Sequence, residues 1–184
     1  LACMGRIHFA SKGQDLLVHA LRRSRWRDRQ IKIGFVGKNQ GNQEQLEDLI
    51  AMYGLQDKFE FEGFSSHVQD VWKRYQGLVL PSRYEGAALV VTEAMLSHRM
   101  VVCTDTGRNQ ELLRDNETGF VARTPSVDDV DDALERAWVA RDRWREMGLQ
   151  AGRDIREQYS RDPVGDLAQK LLTLATAASS TVEV

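Results

Sequence analysis

Short apolar runs, most of them bounded by glycine, alternate with helical spacing along most of this 184-residue chain, and that alternation restricts the fold more than any other feature. Leu1 to Ile7 reads as a strand ending at Gly5-Arg6. Ile31, Ile33, Phe35 and Val36 follow as a second, closed by Gly37. Lys58 to Glu62 alternates, with Phe59 and Phe61 on one face, and ends at Gly63. Gly77-Leu78-Val79-Leu80, Met100 to Thr104 and Gly119-Phe120-Val121 complete the set. Continuous apolar strands need cover on both faces, which a parallel sheet between helices supplies. The intervening stretches carry apolar residues at helical spacing: Leu16, Leu17, Ala20 and Leu21; Leu46, Leu49, Ile50 and Tyr53, ended by Gly54; Val68, Val71, Trp72 and Tyr75, capped by Ser66 and stopped by Gly77. Ala10-Ser11-Lys12-Gly13 reads as a polar turn, and Glu111-Leu112-Leu113 as a brief helix. After Pro125, Ser126 and Asp129 form a capping pair ahead of a stripe from Val127 to Trp138. Arg141 to Gln158 reads as a charged, exposed helix, and Pro163 opens a last one. The expectation is an α/β, doubly wound parallel sheet (Rossmann-like) of about six strands, occupying residues 1–174, with 175–184 a disordered tail.

Composition narrows the partners. A net charge of −2 gives no basic field for nucleic acid, and 42% apolar residues suffice for a core without disulfides. Cys3 and Cys103 lie in apolar runs and read as buried thiols of a reducing, cytoplasmic compartment. No apolar run reaches the ~18–20 residues of a membrane span. Acidic Asp142, Glu146, Asp154 and Glu157 interleave with the arginines between 141 and 161, so that segment reads as a solvated face and not as a membrane contact. The chain opens directly in a strand, Leu1-Ala2-Cys3-Met4-Gly5, and is expected to be a piece of a longer protein with a domain ahead of Leu1.

The residues with chemistry to offer gather where strands end, which is where such sheets bind ligands. Arg6 and Lys12 flank the first strand-to-helix turn and suit a diphosphate. Glu85 follows the fourth strand. Gly86, Ala87 and Ala88 are small enough to let a ligand approach the backbone, and they read as the opening turn of a helix that carries Glu93. Two carboxylates eight residues apart on one helix would stand about 12 Å apart. That is too far for a hydrolytic pair but suited to two parts of one extended ligand. Glu93 lies among Val90, Val91, Ala94 and Met95, and a carboxylate there can accept from vicinal ribose hydroxyls. His8, His19, His67 and His98 are scattered and form no metal-ligand cluster. Gly5-Arg6-Ile7-His8-Phe9 lacks the glycine-rich dinucleotide turn, which argues against hydride transfer.

The pattern Glu85-(seven residues)-Glu93, with Leu80-Pro81-Ser82 before it and Ala94-Met95 after it, resembles the E-x7-E signature of the retaining glycosyltransferases of family 4. Gly5-Arg6 with Lys12-Gly13, Phe61-Glu62-Gly63-Phe64, Thr106-Gly107 with Glu111, and Thr118-Gly119-Phe120-Val121 resemble further segments of that family in the same order, from about Met4 to Val121. The resemblance implies the C-terminal, donor-binding half of a GT-B enzyme. It implies transfer of a hexosyl group from a nucleotide-sugar, such as a UDP- or GDP-sugar, to a sugar, lipid-linked or other acceptor, with retention of configuration and without a metal or other cofactor. Arg6 and Lys12 would hold the diphosphate, Glu93 the ribose and Glu85 the transferred sugar. Backbone N–H groups from Gly86 through Ala87 and Ala88 to Leu89 would meet sugar and phosphate, and Gly63 and Phe64 the base. The acceptor would be bound mainly by an N-terminal domain, so this half alone would be inactive. Peripheral membrane association of a longer protein stays open, as does a non-catalytic nucleotide-sugar-binding module acting with a partner subunit. Two departures bear on the pocket: Ala88 stands where the family often has a second glycine, and Thr106-Gly107 where it often has two.

Overall fold

The computed structural model describes residues 1–159 and 162–179. Six strands run in chain order: β1 (Ala2–Met4), β2 (Ile33–Val36), β3 (Phe59–Gly63), β4 (Gly77–Leu80), β5 (Met100–Thr104) and β6 (Gly119–Ala122). The α-helices are α1 (Phe9–Lys12), α2 (Gln14–Leu21), α3 (Gln43–Met52), α4 (Val68–Arg74), α5 (Leu89–Leu96), α6 (Asn109–Leu112), α7 (Val127–Val139), α8 (Trp144–Gln158) and α9 (Pro163–Ser179). The sheet order is β3-β2-β1-β4-β5-β6, every pair parallel. The chain therefore reverses its winding between β1 and β4, and a crevice opens outside the carboxyl ends of those two strands.

Successive strand residues feed opposite cores, as the pleat requires. Cys3, Phe35, Val79 and Val102 pack with α2, α3 and α7 around Trp26 and Leu134. Met4, Leu78, Leu80, Val101 and Cys103 pack with α4, α5 and α8 around Trp72, Met95 and Ile155. Both cysteines are free and buried. Burial pushes the Cys3 thiol up to about 12 and raises that of Cys103 as well, which keeps both neutral. Ser126 caps α7 as expected, its Oγ accepting from Asp129 N at 3.1 Å, and Gly54 takes the left-handed conformation that ends α3 (φ 65°). No described helix is long and apolar enough to cross a membrane.

Tertiary packing overrides several local expectations. Ala10 to Lys12 is helical rather than a turn, and Gly13 closes that short helix at φ 63°. The residue at the cap of α4 is His67, without a side-chain bond, while Ser66 Oγ faces His67 Nδ1 at 3.0 Å. Gly77 does not stop α4 but begins β4, where a Cβ would stand 2.8 Å from Met100 O. The stretch after residue 140 is less exposed than its charge suggests. Arg141–Arg143 form a 3-10 turn, and α8 then buries Met147, Gly148, Ala151, Gly152 and Ile155. Gly148 and Gly152 lie against His98, where a Cβ would come within 2.2 Å of it in either case, so α8 docks on the end of α5. Of the expected tail, Ala175 to Ser179 continue α9; residues 180–184 lie outside the described ones.

Candidate functional site

A cavity of about 590 Å³ occupies the β1/β4 crevice. Arg6 and Lys12 border it from the β1 side, Glu85, Ala87, Ala88, Leu89 and Glu93 from the β4 side, and Phe64 from beyond β3. Residues separated by more than seventy positions of sequence are thereby brought together.

Two glycines allow the walls to close. Gly13 at φ 63° turns the chain from α1 into α2, and a Cβ there would lie 2.2 Å from Pro81 O. The same contact zone is tied by Arg83 N and Tyr84 N, which both donate to Ser11 O (2.9 and 3.1 Å). The Arg83 guanidinium grips Asp15 with two bonds (2.6 and 2.7 Å) and donates to Phe9 O at 2.8 Å. On the other side Gly107, at φ 60°, carries no Cβ where one would stand 2.5 Å from Gly86 O and 2.6 Å from Glu85 O. Thr106-Gly107 thus buttresses the Glu85 loop from behind.

Within the cavity Lys12 Nζ donates to Glu85 Oε1 at 2.5 Å, and Ser82 Oγ donates to the same oxygen at 2.6 Å. The Glu85 side chain is only 9% exposed. Its other oxygen, Oε2, has no hydrogen bond among the described residues and stays available. Arg6 forms no ion pair among the described residues. Neither does Lys38, whose ammonium lies 4.8 Å from the Phe64 ring centroid. The cavity wall therefore carries three cations against two carboxylates, with two of the cations unpaired. Glu93 has no partner among the described residues to offset its partial loss of water, and desolvation raises its carboxyl above the usual range.

Three expectations change. Helix α5 begins at Leu89, so Glu85 to Ala88 form a loop and the helical spacing does not apply to the glutamate pair. Ala88 is buried at the helix cap. Leu89 N is occupied, donating to Ala87 O at 3.0 Å, whereas no acceptor among the described residues takes the N–H groups of Gly86, Ala87 and Ala88. Gly63 and Gly86 do not border the cavity. Gly63 (φ 70°) works behind it, its carbonyl accepting from Gly37 N at 2.8 Å. Lys38, Gln40 and Ser65 border the cavity and carry no local sequence signal beyond following the strands β2 and β3, and Val68, read only as part of a helical stripe, borders it too.

Comparison with known proteins bears on the family and the fold. The sequence profile of the family described as Glycosyl transferases group 1 matches residues 1–151. Alpha-D-kanosaminyltransferase of Streptomyces kanamyceticus is 32% identical over 135 residues, covering 72% of this chain and 34% of the relative. D-inositol 3-phosphate glycosyltransferase of Gordonia bronchialis is 31% identical over 173 residues, covering 89% of this chain and 37% of the relative. The chain thus spans about a third of the length of these curated relatives. Among solved structures, the Anabaena protein HepE in complex with UDP superposes with a TM-score of 0.81 at 20% identity, over 94% of this chain and 48% of that one. Staphylococcus aureus TarM, as a mutant with UDP and other ligands, gives 0.81 at 24% identity, over 94% and 34%. Sheet order, crevice position and family profile converge: the chain is an α/β domain of GT-B type and belongs to the group 1 glycosyl transferases.

Proposed function

We propose that the β1/β4 cavity is the donor site of a retaining hexosyltransferase of family 4, and that it binds a nucleotide-diphosphate sugar. The observation that carries the reading is the pairing of unengaged cations with unengaged backbone donors on the two sides of the cavity: Arg6 and Lys38 on one side, the N–H groups of Ala87 and Ala88 on the other. A diphosphate between them would meet both charge and hydrogen-bond donors, which is what a leaving diphosphate needs as its negative charge grows. Lys12, now paired with Glu85, borders the same cavity and would join them on the anion. Glu85 Oε2 would accept from a hydroxyl of the transferred sugar. Glu93 would take the ribose hydroxyls, and Phe64 with Lys38 would border the base. These fixed cations supply the charge that a metal supplies elsewhere, so transfer is proposed to proceed without one. The relatives named as glycosyltransferases favour a catalytic role over a binding module. The acceptor would be held mainly by a separate N-terminal domain, leaving this one inactive in transfer by itself.

The test is a thermal-shift series with UDP, GDP and ADP and with UDP-glucose, GDP-mannose and ADP-glucose. UDP comes first because structural neighbours were solved with it. A ligand that binds only the folded chain raises Tm by mass action. At least one nucleotide-sugar should do so, and Arg6→Ala and Glu93→Ala should abolish the rise. No response to any of the six, or the same response in both variants, overturns the reading.

A further inference from the structure

Three polar side chains beneath the site are fully buried: Ser82, Thr104 and Asn109, each 0% exposed. Their positions form a string. Asn109 Nδ2 donates to Thr104 O at 3.2 Å, Thr104 Oγ1 donates to Ser82 O at 2.6 Å, and Ser82 Oγ donates to Glu85 Oε1 at 2.6 Å. The string starts at α6, crosses the end of β5 and ends on the one carboxylate oxygen that also takes Lys12. Burying hydroxyls and amides costs free energy that an apolar residue of the same shape avoids. The cost is not fully recovered here, because Asn109 Oδ1 is buried without an acceptor role among the described residues. Stability alone therefore does not explain polar residues at these three positions.

We infer that Ser82 and Thr104 are positioning residues. Through the string they fix Glu85 Oε1 and so aim Oε2 at the sugar of the donor. This rests on the donor-site reading for the identity of the ligand, but not for the linkage itself. With Ser82 in place the carboxylate has two donors on one oxygen and its plane is set. Without it the carboxylate turns about a single contact with Lys12, a long side chain that a diphosphate competes for. A hydroxyl of the sugar would then meet a carboxylate of variable orientation, while the nucleotide contacts stay as they are.

Two measurements test this. The first needs no ligand. Thermal unfolding of the parent, Ser82→Ala, Glu85→Ala and the double variant forms a cycle. Linkage predicts that the Tm loss from Ser82→Ala shrinks when Glu85 is already gone; equal losses in both backgrounds overturn the inference. The second compares affinity for UDP-glucose with affinity for UDP. Ser82→Ala and the shape-preserving Thr104→Val should lose about fivefold or more of any preference for the sugar nucleotide, as expected for one hydrogen bond, with UDP affinity unchanged. Thr104→Ser, which keeps the hydroxyl, should retain the preference. Equal loss of UDP and UDP-glucose affinity would mean a merely structural role and would also overturn it. If the parent binds neither probe, the donor reading fails for uridine nucleotides, and the unfolding cycle still decides the linkage.

Discussion

Two buried carboxylates in this domain look alike by burial and charge and differ in what surrounds them. Asp131 lies where α7 meets the end of α2, with its side chain 2% exposed. Its Oδ1 accepts from Trp26 Nε1 at 2.6 Å, and its Oδ2 accepts from Arg23 at 2.6 Å with Arg25 3.5 Å away. Both oxygens are taken and a fully buried tryptophan closes the site. Glu85 is nearly as buried, yet among the described residues all its hydrogen bonds fall on one oxygen, and the residue borders a cavity. An ion pair with both ends satisfied serves packing; one with a free lone pair beside a cavity serves a ligand.

Removing either carboxylate should separate the two regions most sharply. Asp131→Ala leaves the Trp26 N–H without an acceptor in the core, and Arg23 can turn only partly to water. The expected loss is about 3 kcal/mol of stability, read as a lower Tm, with nucleotide-sugar affinity intact in the folded fraction. Glu85→Ala should change stability by no more than about 1 kcal/mol, since Lys12 can reach solvent, and should reduce the preference for a sugar nucleotide. The reverse pattern would break the comparison. Gly13→Ala falls between the two regions in kind. It should cost about 2 kcal/mol for a left-handed alanine forced against Pro81 O. It should weaken nucleotide affinity as well, because it parts the β1 and β4 walls. Calorimetry on the variant reads both.

The smallest expected effect concerns acid. The Glu93 carboxyl is raised in the folded chain by desolvation. The folded state therefore holds that proton more tightly than the unfolded one, and the group's contribution favours folding at low pH and declines as pH rises through the raised value. For the proposed ligand the order is opposite, because the ionised Glu93 would be the stronger acceptor from two ribose hydroxyls. Affinity should fall on acidification earlier than an ordinary glutamate would cause, and Glu93→Gln should flatten that part of the profile. Glu135 in the closed region behaves conversely. Its hydrogen bond to Arg29 lowers its carboxyl, so the stability it adds is present at neutral pH and lost as pH falls through that lowered value.

Much of this was readable from the chain because strands and helices are announced by period. Leu78 and Leu80 feed one core and Val79 the other, and continuous apolar runs of that kind require two covered faces. Arg6, Lys12, Glu85 and Glu93 could be grouped from the sequence because they follow the runs that become β1 and β4, and all four border the cavity. The boundaries that failed did so through contacts distant in sequence. Gly77 is a glycine because Met100 O approaches it, and Gly86 to Ala88 stay out of helix because the loop packs on Gly107 and buries Ala88. Lys38, Gln40 and Ser65 reach the cavity only once β2 lies beside β1 and β3 beside β2. The Ser82 bond to Glu85 spans three residues, but its meaning depends on Thr104, which arrives from the next strand.

Amide NMR on the isotopically labelled chain tests the central claim most directly. Titration with the nucleotide-sugar that raises Tm should move the resonances of Gly5, Arg6, Ala87 and Ala88, on the walls of the β1/β4 cavity, and leave those of Trp26 and Asp131 in place. Shifts centred on the Asp131 region or spread evenly over the domain, with the Ala87 and Ala88 amides unmoved, would contradict the assignment of this cavity as the donor site.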